Sequence, residues 1–253
     1  MKRSSGVRVA ATVVVSALTC VLVTGCGGDS AGSDAKALSA AELKKKIIAE
    51  GDVDGHEVSA TGTKQLPSAK SEINGDEKCK PLVYVVSGLA PGDAATEART
   101  SATEEKKPTD AASKSLEDMS EGDIEDALNE SMSRNVTVVG LSSYDGDGAE
   151  AAVKSVSEAI ENCAGGFSAG QKSDQAKFTE VVSEKGSGTG DESVAFALTS
   201  DLEDGATGKV HAEVVRKGNT VATYYTMNLG ALMTGKDYTV PTAVIEAQSA
   251  KLK

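Results

Sequence analysis

Four strand-like runs in the C-terminal part of the chain decide its fold. They read KFTEVVSE (177–184), SVAFALTSDL (193–202), KVHAEVVR (209–216) and TVATYYTMN (220–228). In the second run large apolar residues alternate with Ala195 and Ala197, which is typical of a strand whose two faces differ. Hairpin signals at Asp204-Gly205 and Gly218-Asn219, and a looser turn at 186–190, separate the runs. The stretch therefore predicts an antiparallel meander.

Amphipathic helices are predicted before and after this meander. A strand at 135–144 and a turn at 145–148 lead into a helix that starts with Asp147 and Glu150 in a capping-box arrangement. The apolar stripe of this helix consists of Ala152, Val153, Val156, Ala159, Ile160 and Cys163. The stripe of a last helix, after Pro241, consists of Val240, Ala243, Val244 and Ala247. Helices that cover one face of an antiparallel meander sheet give an α+β fold.

The region before residue 135 contains shorter elements. Ser39 and Glu42 form a capping box at the start of a helix that Gly51 ends, and Pro81 fits the first turn of another helical apolar stripe. A strand is predicted at 53–63 and a short helix at 123–132. The stretch 99–122 is polar and charged, which predicts a mobile insertion or an exposed hairpin arm.

Residues 1–26 are typical of the signal peptide of a bacterial lipoprotein. A basic start with Lys2, Arg3 and Arg8 precedes about fifteen apolar residues, fewer than the roughly 20 that a transmembrane helix needs. The segment VTGC (23–26) resembles a lipobox, in which small residues precede a cysteine that is acylated. It predicts lipid attachment at Cys26 and a membrane anchor of acyl chains. An ordinary secretory signal with a chance cysteine is the alternative.

The sequence thus divides into three predicted parts. Residues 1–25 are the signal peptide, and 26–38 form a flexible tether because GGDSAGSDAKA (27–37) is small and polar. Residues 39–253 form a single α+β extracellular domain, long enough for a sizeable core.

Three cysteines remain after cleavage before Cys26. Lipid takes Cys26, so Cys79 and Cys163 are left as an even pair in an oxidising compartment. A disulfide between them is predicted, and it would join the two helices that carry them. Two buried free thiols are the alternative.

The composition excludes some classes of partner. The chain has 26 basic and 38 acidic side chains, and loss of residues 1–25 removes three basic ones and leaves a net charge of −15. Such acidity disfavours nucleic acid, whose binding depends on Lys and Arg. Aromatic residues make up 3% and Trp is absent, which disfavours a carbohydrate receptor.

One motif suggests hydrolase chemistry. GFSAG (166–170) matches G-x-S-x-G, and Asp201 and His211 follow Ser168 in the order of α/β-hydrolases. That motif needs a strand before it and a helix after it, whereas here a helix precedes and a polar stretch follows. We therefore interpret Ser168 as part of a glycine-rich helix exit and expect no catalytic centre.

No metal or cofactor is expected either. His56 lies in a polar stretch, and His211 alternates with apolar residues so that it is predicted to point outward. Neither has a partner at the spacing of metal ligands. Asp145, Asp147 and Glu150 are explained by turn formation and capping, without calcium.

Three segments carry a family resemblance: SSYDGDGAEAAVKSVSEAIENCAGGF (142–167), VRKGNTVATYY (215–225) and YTVPTAVIEAQSAKL (238–252). They resemble secreted lipoproteins of Streptomyces-type, high-GC Gram-positive bacteria, a family without an agreed activity. More distantly, the cysteine-terminated helix and the sheet resemble the extracellular sensor domain of mycobacterial serine/threonine kinases. That domain has two disulfides, whereas this mature chain can form one.

The function expected from these features is non-catalytic. The predicted protein is a lipid-anchored binding or sensing module on the extracellular face of the cell membrane, for a small ligand or a cell-envelope protein. Its site is expected between the meander and the Cys163 helix. The alternatives are a carrier of lipid or another apolar ligand and, less favoured, an exported serine hydrolase that uses Ser168.

Overall fold

A nine-stranded sheet forms the centre of the computed structural model, which describes residues 35–105, 120–171, 174–202 and 207–253. The strands are β1 (His56–Ser59), β2 (Ile73–Gly75), β3 (Thr96–Glu104), β4 (Asn135–Ser143), β5 (Phe167–Gln171), β6 (Asp174–Glu184), β7 (Glu192–Asp201), β8 (Thr207–Lys217) and β9 (Thr220–Asn228). Their order is β1-β3-β4-β9-β8-β7-β6-β5-β2, and neighbours pair antiparallel. Strands β6 to β9 are the four runs quoted first, so the predicted meander is confirmed. Its Gly218-Asn219 turn is present, whereas Asp204-Gly205 lies outside the described residues.

Helices pack on both faces of this sheet. They are α1 (Ala40–Lys46), α2 (Lys80–Val86), α3 (Glu121–Met132), α4 (Gly148–Asn162), α5 (Leu229–Thr234) and α6 (Thr242–Lys251). One core contains α2 and α4 with Val214 of β8, and the other contains α1 and α6 with Val215, the next residue on the same strand. The α+β class is confirmed, but the prediction that helices cover one face is wrong. Both faces of the central strands are apolar, so both acquire helices.

Cys79 and Cys163 form the predicted disulfide, with an S–S distance of 2.01 Å. Cys79 immediately precedes α2 and Cys163 immediately follows α4, so the bond joins the two helices as expected. The apolar stripe predicted for α4 is buried in full.

Local signals predicted the starts of elements better than their ends. The Ser39–Glu42 capping box is present, but α1 ends at Lys46 and not at Gly51. The strand predicted at 53–63 is reduced to β1 and a 3-10 turn, and Asp147 caps α4 without a side-chain hydrogen bond. Of the stripe predicted for α6, Val244 is buried, Val240 and Ala247 are partly buried and Ala243 is exposed, whereas Ile245 and Gln248 are buried without having been predicted. Gln248 is buried because its amide accepts from Ile48 N (3.0 Å) and donates to Lys46 O (2.8 Å), which satisfies the end of α1.

The insertion predicted at 99–122 begins too early. Residues 99–104 belong to β3, which lies between β1 and β4. Polar side chains of β3 can lie in the protein interior because they are hydrogen-bonded. Arg99, for example, donates to Pro67 O (2.7 Å) and Ser87 O (2.9 Å). The remainder of the predicted insertion, 106–119, lies outside the described residues, and α3 already starts at Glu121.

The predicted tether extends too far toward the domain. Ala35 O accepts from Gly146 N (2.7 Å), Ala37 N donates to Asp145 Oδ1 (2.9 Å), and Leu38 N donates to Ser143 Oγ (2.9 Å). Residues 35–38 are therefore bound to the end of β4 and are part of the folded unit.

Candidate functional site

Ser168 and His211 are too far apart to act together. Ser168 is exposed on β5, and His211 lies on β8, three strands away in the sheet order β5-β6-β7-β8. At about 4.8 Å per strand, the two backbones are separated by roughly 14 Å. Asp201, the third residue of the suggested triad, forms an ion pair with Lys177 at 2.9 Å. The motif is a strand segment, neither a nucleophile elbow nor the helix exit that the sequence suggested.

His211 is buried, which contradicts the prediction that it points outward. Its exposed fraction is 7%, and its Nδ1 lies 2.9 Å from Glu184 Oε2 on β6. The ring of Tyr238 meets the imidazole edge-on, with 4.7 Å between centroids. Alternation along β8 placed His211 correctly on the face opposite Val210 and Ala212, but that face is covered by the chain around Tyr238.

Beside this pair, three residues form a row across the sheet. Glu184 on β6 pairs with Ala195 on β7, which pairs with Glu213 on β8. Paired residues point to the same face, and the two outer backbones are about 10 Å apart. The methyl group of Ala195 leaves the space between the two acidic side chains unfilled. We call the cavity formed by this row and by the overlying residues Thr239, Val240, Thr242 and Ile245 the trough.

The wall above the trough comes from the end of the chain. Thr239, Val240, Thr242 and Ile245 line a cavity of about 340 Å³ together with the row. Residues 235–241, which we call the strap, connect α5 to α6, and the Tyr238 hydroxyl donates to Lys209 O at 2.6 Å. Burial raises the pKa of the Tyr238 phenol. A second cavity of about 260 Å³ is lined by residues 235–238 and by Lys209 and His211.

Glu213 is the unusual side chain of the trough. It is 4% exposed, and its Oε1 accepts hydrogen bonds from the Ser187 backbone N (2.8 Å) and the Ser187 hydroxyl. Its other oxygen, Oε2, has no hydrogen-bond donor, and the carboxylate has no basic partner, within the described part of the chain. Carboxylates are rarely buried without a cation.

The region favoured by sequence, between the meander and the Cys163 helix, is filled by side chains. Val153 and Val156 of α4 and Phe196 and Leu198 of β7 are all 0% exposed. A cavity of about 350 Å³ lies at the start of α4, where Ala35, Lys36 and Asn219 meet. The site expected between the meander and the Cys163 helix stays a prediction, and the trough lies on the other face of the sheet, which sequence reasoning did not foresee to be covered.

Sequence reasoning also missed Glu184, Ser187 and Glu213. The available signal was the pair Ala195 and Ala197. Their small side chains lie on one face of β7 and leave space there that a larger side chain would occupy. Within the described ranges no group of three or more His, Cys, Asp or Glu side chains is placed to hold a metal ion. Nor is any helix of these ranges long and apolar enough to cross a membrane.

No family model and no curated protein matches this chain. Among solved structures it is similar to the extracellular domain of PknH from Mycobacterium tuberculosis, with 12% identity and a TM-score of 0.46. The similarity covers 86% of this chain and 95% of that one. The distant resemblance to a mycobacterial extracellular domain thus has a structural counterpart, whereas the Streptomyces-type lipoprotein family stays a prediction. At this identity and TM-score the likeness says nothing of ligand or activity.

Proposed function

We propose that this protein is a lipid-anchored, non-catalytic binding module on the extracellular face of the cell membrane. It binds a small ligand or a group of a cell-envelope partner in the trough. The observation that carries the proposal is the cavity of about 340 Å³ beside Glu213, a buried carboxylate without a basic partner. A concave site with a few convergent polar groups is the usual form of a ligand site.

Two independent features support an extracellular location. The first is the lipoprotein-type segment that ends in Cys26. The second is the Cys79–Cys163 disulfide, a bond that persists in oxidising compartments. The nine-residue step from Cys26 to Ala35 spans at most about 30 Å when fully extended, so the anchor would keep the domain close to the membrane surface.

The geometry of the polar side chains favours binding over catalysis. The hydroxyl of Ser187, which lines the trough with Thr239 and Thr242, donates to Glu213, while His211 faces Glu184. Histidine is the base that most often activates a catalytic serine, and neither described histidine is hydrogen-bonded to a serine hydroxyl: His56 contacts Asp54 O and His211 contacts Glu184. A carrier of apolar ligands is less well supported, since two carboxylates line the cavity.

The anchor is tested by the Cys26→Ala variant of the full chain, expressed in a Gram-positive host. Wild-type protein should incorporate a labelled fatty acid and stay with the membrane, whereas the variant should not be labelled, because the thiol that forms the thioether is gone. Protease added to intact cells should digest the wild-type domain, and a cytoplasmic protein serves as the control. Equal labelling of both proteins would contradict the anchor.

A further inference from the structure

We propose that the trough binds an aliphatic ammonium group, with Glu213 as its counter-ion. The group can belong to a small amine or to a lysine side chain of a peptide. This inference rests on the proposed function, because it names the ligand class of the same site.

The first argument is the charge of Glu213. The side chain is 4% exposed, and its only hydrogen-bond donors in the described ranges are the amide and hydroxyl of Ser187, both on Oε1. Two neutral donors compensate part of the desolvation of a carboxylate, and a cation would compensate much more of it. Oε2 has no donor among the described residues and is not one of the fully buried atoms without a partner, so it is the atom open to a cation in the cavity.

The second argument is the sign of the charges around the cavity. Glu184 and Glu213 both line it, and they stand on either side of Ala195. Lys185 lines it too, but this side chain is exposed and forms no ion pair with either carboxylate. His211 is held by Glu184 from outside the cavity lining. Two carboxylates against one exposed lysine favour a cation and disfavour an anion.

The third argument is the apolar part of the lining. Ala195, Val240 and Ile245 offer aliphatic surface in the same cavity as the carboxylates. A cavity of about 340 Å³ is at the small end of ligand pockets and suits a short alkyl stem. An inorganic divalent ion would find fewer than three acidic or imidazole ligands among the described side chains, and it would gain nothing from these walls. An alkylammonium ion can pair its charge with the carboxylates and pack its alkyl stem against the aliphatic walls.

The test is a ligand-observed NMR titration of the intact protein in detergent at neutral pH. The probes are n-butylammonium, the neutral analogue 1-butanol, and the tripeptide glycyl-lysyl-glycine. We expect wild-type protein to bind at least one of the two ammonium probes and to bind butanol at least about 10-fold more weakly. A stronger response to butylammonium assigns a small amine as the source, and a stronger response to the tripeptide assigns a peptide.

Glu213→Gln removes the charge and preserves the hydrogen-bond acceptor for Ser187. It should raise the Kd of the ammonium probe about 10-fold or more. The matched control is Glu180→Gln, an exposed carboxylate on β6 outside the cavity lining, which should leave the Kd unchanged. Ala195→Val fills the trough but keeps both carboxylates, so it should also abolish binding and gives a second test if Glu213→Gln unfolds.

Three results would overturn the inference: no binding of either ammonium probe, equal binding of butanol, or an unchanged Kd in folded Glu213→Gln. Its failure is distinguishable from failure of the proposed function. If butanol binds as well as butylammonium and Ala195→Val still abolishes both, the trough remains a binding site and only the cation assignment is lost.

Discussion

Individual residues of this protein acquire their surroundings from segments that are distant in the sequence. His211 looked like an outward residue of β8 because it alternates with Val210 and Ala212, and that alternation is correct. The imidazole is buried all the same, since Tyr238 covers it and Glu184 accepts its hydrogen bond. A pattern of period two separates the faces of a strand, but it does not reveal which face another segment will cover.

At this scale Asp191 provides a test of pH dependence. Its pKa is lowered, first by the Gly218 backbone N–H (2.7 Å) and next by Lys217 (2.7 Å). A carboxyl whose pKa is lower in the folded state stabilises the fold fully above its ordinary pKa of about 3.9, and the contribution is lost as the pH falls through the folded value. We expect Asp191→Asn to lower the free energy of unfolding by about 1 kcal/mol at pH 7, because the site is partly exposed.

The measurement is urea unfolding of wild type and Asp191→Asn between pH 3 and pH 8. The difference in free energy should be constant above about pH 5 and shrink below pH 4. Asp54→Asn, an exposed aspartate in the loop before β1, is the control and should differ little from wild type. A difference that grows toward low pH would contradict this assignment.

Elements pack more closely in this fold than their sequences indicate. The turn after α2 lies directly on β4, where a Cβ at Gly140 would come within 2.7 Å of Gly88 O and 2.5 Å of Thr223 Oγ1. Nothing in NVTVVGLSSY showed that this glycine allows a backbone to approach. In β3 the polar sequence predicted an exposed insertion, yet polar residues such as Thr100 and Ser101 are buried in a paired strand.

Gly140→Ala should therefore destabilise the protein by about 1–3 kcal/mol, because backbone and a buried side chain must move to admit the methyl group. The control is Gly165→Ala, where an added Cβ meets no atom within 4 Å. Both variants are compared by equilibrium unfolding in urea. Equal stability of the two variants would show that α2 is not held tightly against β4.

At the scale of the whole molecule, the disulfide joins α2 and α4, two helices on the same face of the sheet that are far apart in the sequence. Cys79 and Cys163 are separated by 84 residues, and between them the chain forms α2, β3, α3, β4 and α4. Both cysteines are buried in the core that α2 and α4 share with the sheet. The bond therefore stabilises the protein mainly by reducing the conformational entropy of the unfolded chain, and only to a smaller extent through contacts in the folded state.

Replacing both cysteines by alanine should lower the free energy of unfolding by up to about 4–5 kcal/mol in the chain-entropy model. Denaturant unfolding of the double variant measures the loss. A reductant should lower the stability of wild type and leave the double variant unaffected, which separates the bond from other effects of reduction. Free thiols at both positions in denatured, unreduced protein would contradict the bond.

Short-range patterns predicted the meander, the start of α1 and the apolar stripe of α4, and the number of cysteines predicted the pairing of Cys79 with Cys163. Alternation, capping and turn residues act over a few positions, and only two cysteines of the domain were available to pair. Three features are visible only in the folded chain: helices cover both faces, β3 lies inside the sheet, and Glu184, Ala195 and Glu213 form one row beneath the strap. Those facts depend on the register between strands and on the path of residues 235–241, which no short stretch of sequence encodes.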